Sequence, residues 1–83
     1  MTYLYIYAYP VQMLAFQLMQ NDKVQKNSYH VFNNVIPATK QYLDNNNIDT
    51  IRIVGSTEYA NKIEQLITIN FKGRVNIERI QRD

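Results

Sequence analysis

From Thr2 to Tyr9 the chain alternates with period two: Tyr3, Tyr5, Tyr7 and Tyr9 fall on one side, Leu4, Ile6 and Ala8 on the other. Such alternation of β-favouring residues predicts a strand. Bulky side chains on both sides put that strand in the middle of a sheet. Pro10 ends it, because proline has no N–H to give to a ladder. Val11 to Gln20 fits two patterns. As a strand it sends Leu14, Phe16 and Leu18 one way and Met13, Ala15, Gln17 and Met19 the other; as a helix it carries a polar stripe of Gln12, Gln17 and Gln20. The strand is favoured, since Asn21-Asp22 follows as a two-residue hairpin turn and Val24 to Phe32 then reads as a third, mostly polar strand.

The second half is helical in period. Asn33 or Asn34 is placed to cap a helix with Pro37 in its first turn, where a missing N–H costs nothing. Val35, Ala38 or Thr39, Tyr42 and Leu43 recur on one face, and Asn45-Asn46-Asn47 stops the helix through the left-handed geometry that Asn tolerates. Ile48 to Val54 is a strand with Ile51 and Ile53 inward. After Gly55, Ser56 or Thr57 caps a second helix with Glu58 in its first turn. Its buried stripe is Tyr59, Ala60, Ile63, Leu66 and Ile67. Lys72-Gly73 turns the chain into a last strand, Arg74 to Ile80, with Val75 and Ile77 inward.

The order is therefore β-β-β-α-β-α-β: three meandering antiparallel strands, then two right-handed crossovers, giving one α/β domain over residues 1–83 with a mixed sheet of order 3-2-1-4-5. The alternative is a ferredoxin-like α+β sandwich, in which residues 11 to 20 form a helix. In the preferred topology both crossovers step the same way, so both helices cover one face. That face carries Leu4, Ile6, Leu14, Phe16, Leu18, Ile51, Ile53, Val75 and Ile77. The other holds Tyr3, Tyr5, Tyr7, Tyr9, Met13, Met19, Arg52, Val54 and Ile80, with no helix to cover it.

Composition narrows the classes. Hydrophobic residues make up 46%, enough for a core, and there is no Cys, which removes disulfides, thiol catalysis and thiolate metal sites. No apolar run approaches the roughly 20 residues of a membrane span, so no membrane role is expected. Nine Lys and Arg against seven Asp and Glu give +2, a weak bias that is no argument for nucleic acid on its own. Lys72, Arg74, Arg79 and Arg82 gather late in the sequence but are interrupted by Glu78 and Asp83, and read as a solvated, edge-protecting strand face. Abundant Asn, Ile and Tyr with scarce Gly suggest an AT-rich genome, hence a phage or mobile element, and a cytoplasmic location (the host's, if viral).

The element order resembles the core of the ribonuclease H-like superfamily, which includes Holliday-junction resolvases. Val54-Gly55-Ser56-Thr57-Glu58-Tyr59 is a local echo, placed where that family has a strand-end Asp followed by Ser and an aromatic. The family's nucleases hold two divalent metals with carboxylates. The resemblance implies one acid midway along the first strand, where Tyr5, Ile6 and Tyr7 stand. It implies a Glu on the first helix, whose one acid is Asp44 near the end, and a third acid at the position of Gly55. With all three missing, the resemblance implies a catalytically dead, nuclease-like scaffold without metal or cofactor.

Other candidates have plainer readings. Gly55, Ser56 and Thr57 between strand and helix are placed to cradle an anion, but with no second Gly or Lys following, a tight turn followed by a cap is the favoured account. His30 has no close acidic or thiol neighbour and reads as a hydrogen-bonded strand residue. The tyrosine face is the strongest signal, because an open face this apolar exceeds what monomers usually expose. Expected occupants are a protein partner or a second copy, contacted by Tyr3, Tyr5, Tyr7, Tyr9, Met13, Met19 and Arg52. Single-stranded nucleic acid stacked on the tyrosines is the alternative.

Overall fold

A computed structural model describes residues 1–9 and 13–82, so the stop at Pro10, the placement of Val11 and Gln12, and Asp83 lie outside the described residues. Five strands, β1 (Thr2–Tyr7), β2 (Leu14–Gln20), β3 (Lys23–His30), β4 (Thr50–Val54) and β5 (Asn76–Ile80), form one mixed sheet of order β3-β2-β1-β4-β5. A single 3-10 turn (Phe32–Asn34) leads into α1 (Val35–Asn45), and α2 (Glu58–Phe71) joins β4 to β5. β1 pairs antiparallel with β2 and parallel with β4, and is the central strand, as its two bulky faces require. Residues 14–20 are a strand, so the sandwich with a helix there is not the fold.

Alternation decides which side of the sheet is buried. Leu4, Ile6, Leu14, Phe16, Ile51 and Ile53 are fully buried on one face, in a single cluster with Val35, Ala38, Tyr42 and Leu43 of α1 and Ala60, Ile63, Ile67 and Phe71 of α2. Both helices therefore cover the same face. Val75 and Ile77 pack against the cluster from its margin.

Turn chemistry sets the register. Asn21 and Asp22 both have positive φ (53° and 65°), the geometry of the tight hairpin turn whose twist matches antiparallel strands. From that turn Gln20 pairs with Lys23 and Met19 with Val24, but Leu18 pairs with Lys26, so Gln25 is an inserted bulge residue. Beyond it every β3 side chain lies on the face opposite to the one simple counting assigns. Tyr29 and Asn27 join the uncovered face, and Ser28 and His30 the covered one.

The helix ends depart from the sequence reading. Asn34 holds the N-cap of α1 without a side-chain cap bond. Asn46 is extended (φ −143°) and not left-handed; its side-chain amide donates to the Tyr42 carbonyl at 3.0 Å, so a side-chain bond terminates α1. At α2 the Thr57 hydroxyl accepts the Ala60 N–H, with Glu58 in the first turn. The strands are also shorter than their sequence patterns: β3 gives way to the 3-10 turn at Phe32, and β4 and β5 begin at Thr50 and Asn76.

Two core positions give opposite expectations. Gly55 has φ +151°, and a Cβ there would lie 2.8 Å from the Ala8 carbonyl oxygen and 2.9 Å from the Ala60 Cβ. Gly55→Ala should lower the unfolding free energy by about 2 kcal/mol. Thr39 is fully buried and its hydroxyl has no hydrogen-bond partner. Thr39→Val keeps the shape and removes the orphaned group, so it should raise stability by about 1 kcal/mol. Urea unfolding of both variants measures each sign.

Candidate functional site: the open face of the sheet

Strand register arranges the uncovered face in three cross-strand rows. The middle row is Asn27, Gln17, Tyr5, Arg52 and Glu78. The row toward the C-terminal end of β1 is Tyr29, Ala15, Tyr7, Val54 and Ile80; the row toward its start is Val24, Met19, Tyr3, Thr50 and Asn76. Alternation in the sequence points to a largely apolar surface interrupted by Arg52. Instead, a polar strip runs between two mostly apolar ones.

That polar strip is paired within itself. Gln17 donates from its amide to Asn27 (3.3 Å) and accepts from the Tyr7 hydroxyl (3.0 Å). Arg52 donates from Nη1 to the Tyr5 hydroxyl (2.7 Å) and from Nε to Glu78 (3.0 Å), while its guanidinium lies 4.0 Å from the centre of the Tyr3 ring. Hydrogen bonding to Tyr5 holds Arg52 even more firmly charged than usual, with Glu78 adding to it. Stacked rings link the two halves: Tyr5 to Tyr7 at 6.0 Å between centroids and Tyr7 to Tyr9 at 6.4 Å. Burial, with Tyr5 and Tyr9 beside it, pushes the Tyr7 phenol pKa up, so the face stays neutral at Tyr7 across the physiological range. A guanidinium, a carboxylate and two phenols thus each have a partner within the face.

Of the residues expected here, Tyr3, Tyr5, Tyr7, Met19 and Arg52 lie half-buried on the face, and Tyr9 follows β1, stacked on Tyr7. Met13 sits in a bend before β2 and is exposed. The structure adds Tyr29, 64% exposed and in the Tyr7 row, and beyond it the exposed Val31. Sequence alternation alone misses Tyr29 because the Gln25 bulge reverses its face. Val54 belongs to the same row but is buried.

The Gly55-Ser56-Thr57 segment uses several of its polar atoms structurally. The Gly55 N–H donates to the Ile80 carbonyl, the Gly55 carbonyl accepts from Arg79 Nε (2.7 Å), and Thr57 caps α2. Arg79 is therefore not a solvated edge residue. It is nearly buried on the helix side, also donating to Asn61 (2.7 Å) and Glu64 (2.8 Å). Arg74 pairs with Asp44 at 2.6 Å, so these two arginines do not form a free basic patch.

Asp44 is bridged by Lys40 and Arg74, and Asp49 accepts the Thr2 N–H at 3.1 Å. Among the described residues no three His, Asp or Glu side chains are grouped to hold a metal ion, and no helix is long and apolar enough to cross a membrane.

No protein-family model matches the chain, and no curated relative matches it. One solved structure does. The chain is similar to the crystal structure of Archaeoglobus fulgidus Pelota, with a TM-score of 0.69 over 98% of this chain and 26% of the Pelota chain, at 6% identity. The chain thus spans about a quarter of the length of that protein. The likeness is one of fold: an α/β domain with a five-stranded mixed sheet.

His30, on the covered side of β3, bonds through Nε2 to Ser28 (2.9 Å) and through Nδ1 to Asn34 (3.3 Å), with its ring edge-on to Phe16. Burial, and Lys26 nearby, hold its pKa below the ordinary 6.5. The unfolded chain therefore binds this proton more readily than the folded one. Stability should be full above pH 6.5 and fall as the pH drops through that value toward the folded pKa. His30→Gln should remove this limb. It should leave a second loss below 3.8, where Asp44, held ionised by hydrogen bonds from Lys40 and Arg74, finally protonates. Melting temperature against pH for both proteins checks the two windows.

Proposed function

We propose that this chain is a non-enzymatic interaction module that binds a protein partner across the open sheet face, on a reduced ribonuclease H-like scaffold. The observation that carries this reading is the internally paired polar strip between two mostly apolar rows, half-buried at Tyr3, Tyr7 and Met19 and exposed at Tyr29 and Val24. Gln17, Tyr5, Arg52 and Glu78 each keep a partner within the face when it is covered, which lowers the cost of contact with another surface. Tyrosine, methionine and arginine are also the side chains enriched in interface cores.

The same observation weighs against a single-stranded nucleic acid. Base stacking on tyrosine needs rings free to receive it, and phosphate needs uncommitted cations. Here Arg52 is held by Glu78 and Tyr5 and itself covers the Tyr3 ring. A carboxylate stands at the end of the same row. No acid occupies the three positions that metal-dependent members of the resembled superfamily use, which agrees with a scaffold that has no nuclease activity. The amino-acid usage accords with a phage or mobile-element source and a cytoplasmic setting.

A photo-crosslinking amino acid in place of Ala15, on the open face, should give protein adducts in the cell of origin. The same group in place of Gln65, exposed on α2, should give none. Poly-dT at low salt should show no tight, saturable quenching of tyrosine fluorescence. Adducts at position 65 alone, or tight poly-dT binding lost in Tyr5→Ser and Tyr7→Ser, would reject the reading.

A further inference from the structure

We infer that the outer edge of β3 is a docking site for an extended acidic peptide, which joins the sheet as a sixth strand. This surface is the rim of the sheet and not its open face, and it stands independently of the role proposed for that face. β3 ends the strand order and pairs on one side only, with β2. Alternate N–H and C=O groups along its other side therefore point outward, a template that a peptide backbone completes. A nucleic acid has no such ladder of donors and acceptors to offer.

The Gln25 bulge decides what a docking strand meets. Lys23 and Lys26 are an odd number of positions apart, and in an unbroken strand they would point to opposite faces. With the bulge between them, Lys23 stands opposite Gln20 and Lys26 opposite Leu18, so both lie on the helix side of the edge. Val24, Asn27 and Tyr29 all fall on the other side, with Val24 47% and Tyr29 64% exposed. The edge thus presents cations on one side, and apolar and amide groups on the other. A strand that alternates acidic and apolar residues matches both.

Charge selects the acidic strand. Among the described residues neither lysine has a carboxylate within ion-pair distance, Asp22 of the adjoining turn included, whereas Lys40, Arg52, Arg74 and Arg79 all do. The Lys26 ammonium lies 5.6 Å from the centre of the Tyr42 ring, beside a cavity of about 260 Å³ between β3 and the last turn of α1. Leu18 and Tyr42 give that cavity an apolar part, Gln41, Asn45 and Asn46 bring side-chain amides, and no acid lines it. A glutamate of the added strand, projecting beside Lys26, has room there and meets an ammonium and amide donors. The same lysines set like charge against a second β3, so the edge is closed to its own copies and open to an acidic segment. The opposite edge, β5, offers no equal, because its Glu78 and Arg79 are already paired with Arg52 and Glu64.

Nuclear magnetic resonance titration of the isotope-labelled chain with an alternating Glu-Val octapeptide, acids on one side and valines on the other, tests this. Saturable shifts should appear at the β3 amides and not at those of β5, and affinity should fall as salt rises. Lys23→Glu combined with Lys26→Glu should weaken binding by about 10-fold. Both positions are exposed, and circular dichroism checks that the variant stays folded. The same peptide N-methylated throughout should not bind, since it has no N–H to give to the ladder. No shift at millimolar peptide overturns the inference, as does equal binding of a Lys-Val octapeptide, of the N-methylated peptide, or by the double variant. Poly-dT that bound the β3 edge and displaced the peptide would assign the lysines to phosphate and overturn it as well. Shifts confined to Tyr5 and Tyr7 would overturn the edge site alone and leave the role of the open face standing.

Discussion

A crossover between parallel strands of one sheet is right-handed, and two such crossovers that step the same way along the sheet set their helices on the same side. α1 and α2 obey this constraint, and everything else about the molecule follows from it. The covered face gains a contiguous core. Leu4, Ile6, Phe16, Ile51 and Ile53 are sealed under Val35, Ala38 and Leu43 of α1 and under Ala60, Ile63 and Ile67 of α2. The other face receives no helix among the described residues. Among the described residues, that leaves one whole side of the sheet to be managed by side chains.

The side chains manage it by pairing with one another. Tyrosine suits the task because its ring shields neighbouring backbone and its hydroxyl still finds a partner. Arg52 is the centre of the arrangement: one guanidinium lies over Tyr3, bonds Tyr5 and neutralises Glu78. Such a face is stable beside water and also ready to be dried. The same internal pairing is what the proposed function asks of a surface that a partner is to cover.

The architecture was legible because its signals are local and repeated. Tyrosine–aliphatic alternation marked β1, the Asn21-Asp22 turn marked the hairpin, and helical spacing marked α1 and α2. Together with crossover handedness these are enough for the strand order. Single-residue events were not legible. The Gln25 bulge turns Tyr29 onto the open face, and no composition or period announces it. Arg79 reads as a surface charge in sequence but is drawn inward by the Gly55 carbonyl, Asn61 and Glu64, which come together only after α2 folds back. Likewise the pairing of Tyr7 with Gln17 depends on register across two strands, so the face looked apolar where it is in fact half polar.

Hydroxyl-radical footprinting of the chain in its cells of origin and after purification tests most directly whether the bare sheet face is the surface of contact. The account predicts that Tyr7 and Tyr29 are both less reactive in the cell than in the dilute purified chain, while Ile69, exposed on α2, is equally reactive in both. Protection of Ile69 with Tyr29 left fully reactive would contradict it.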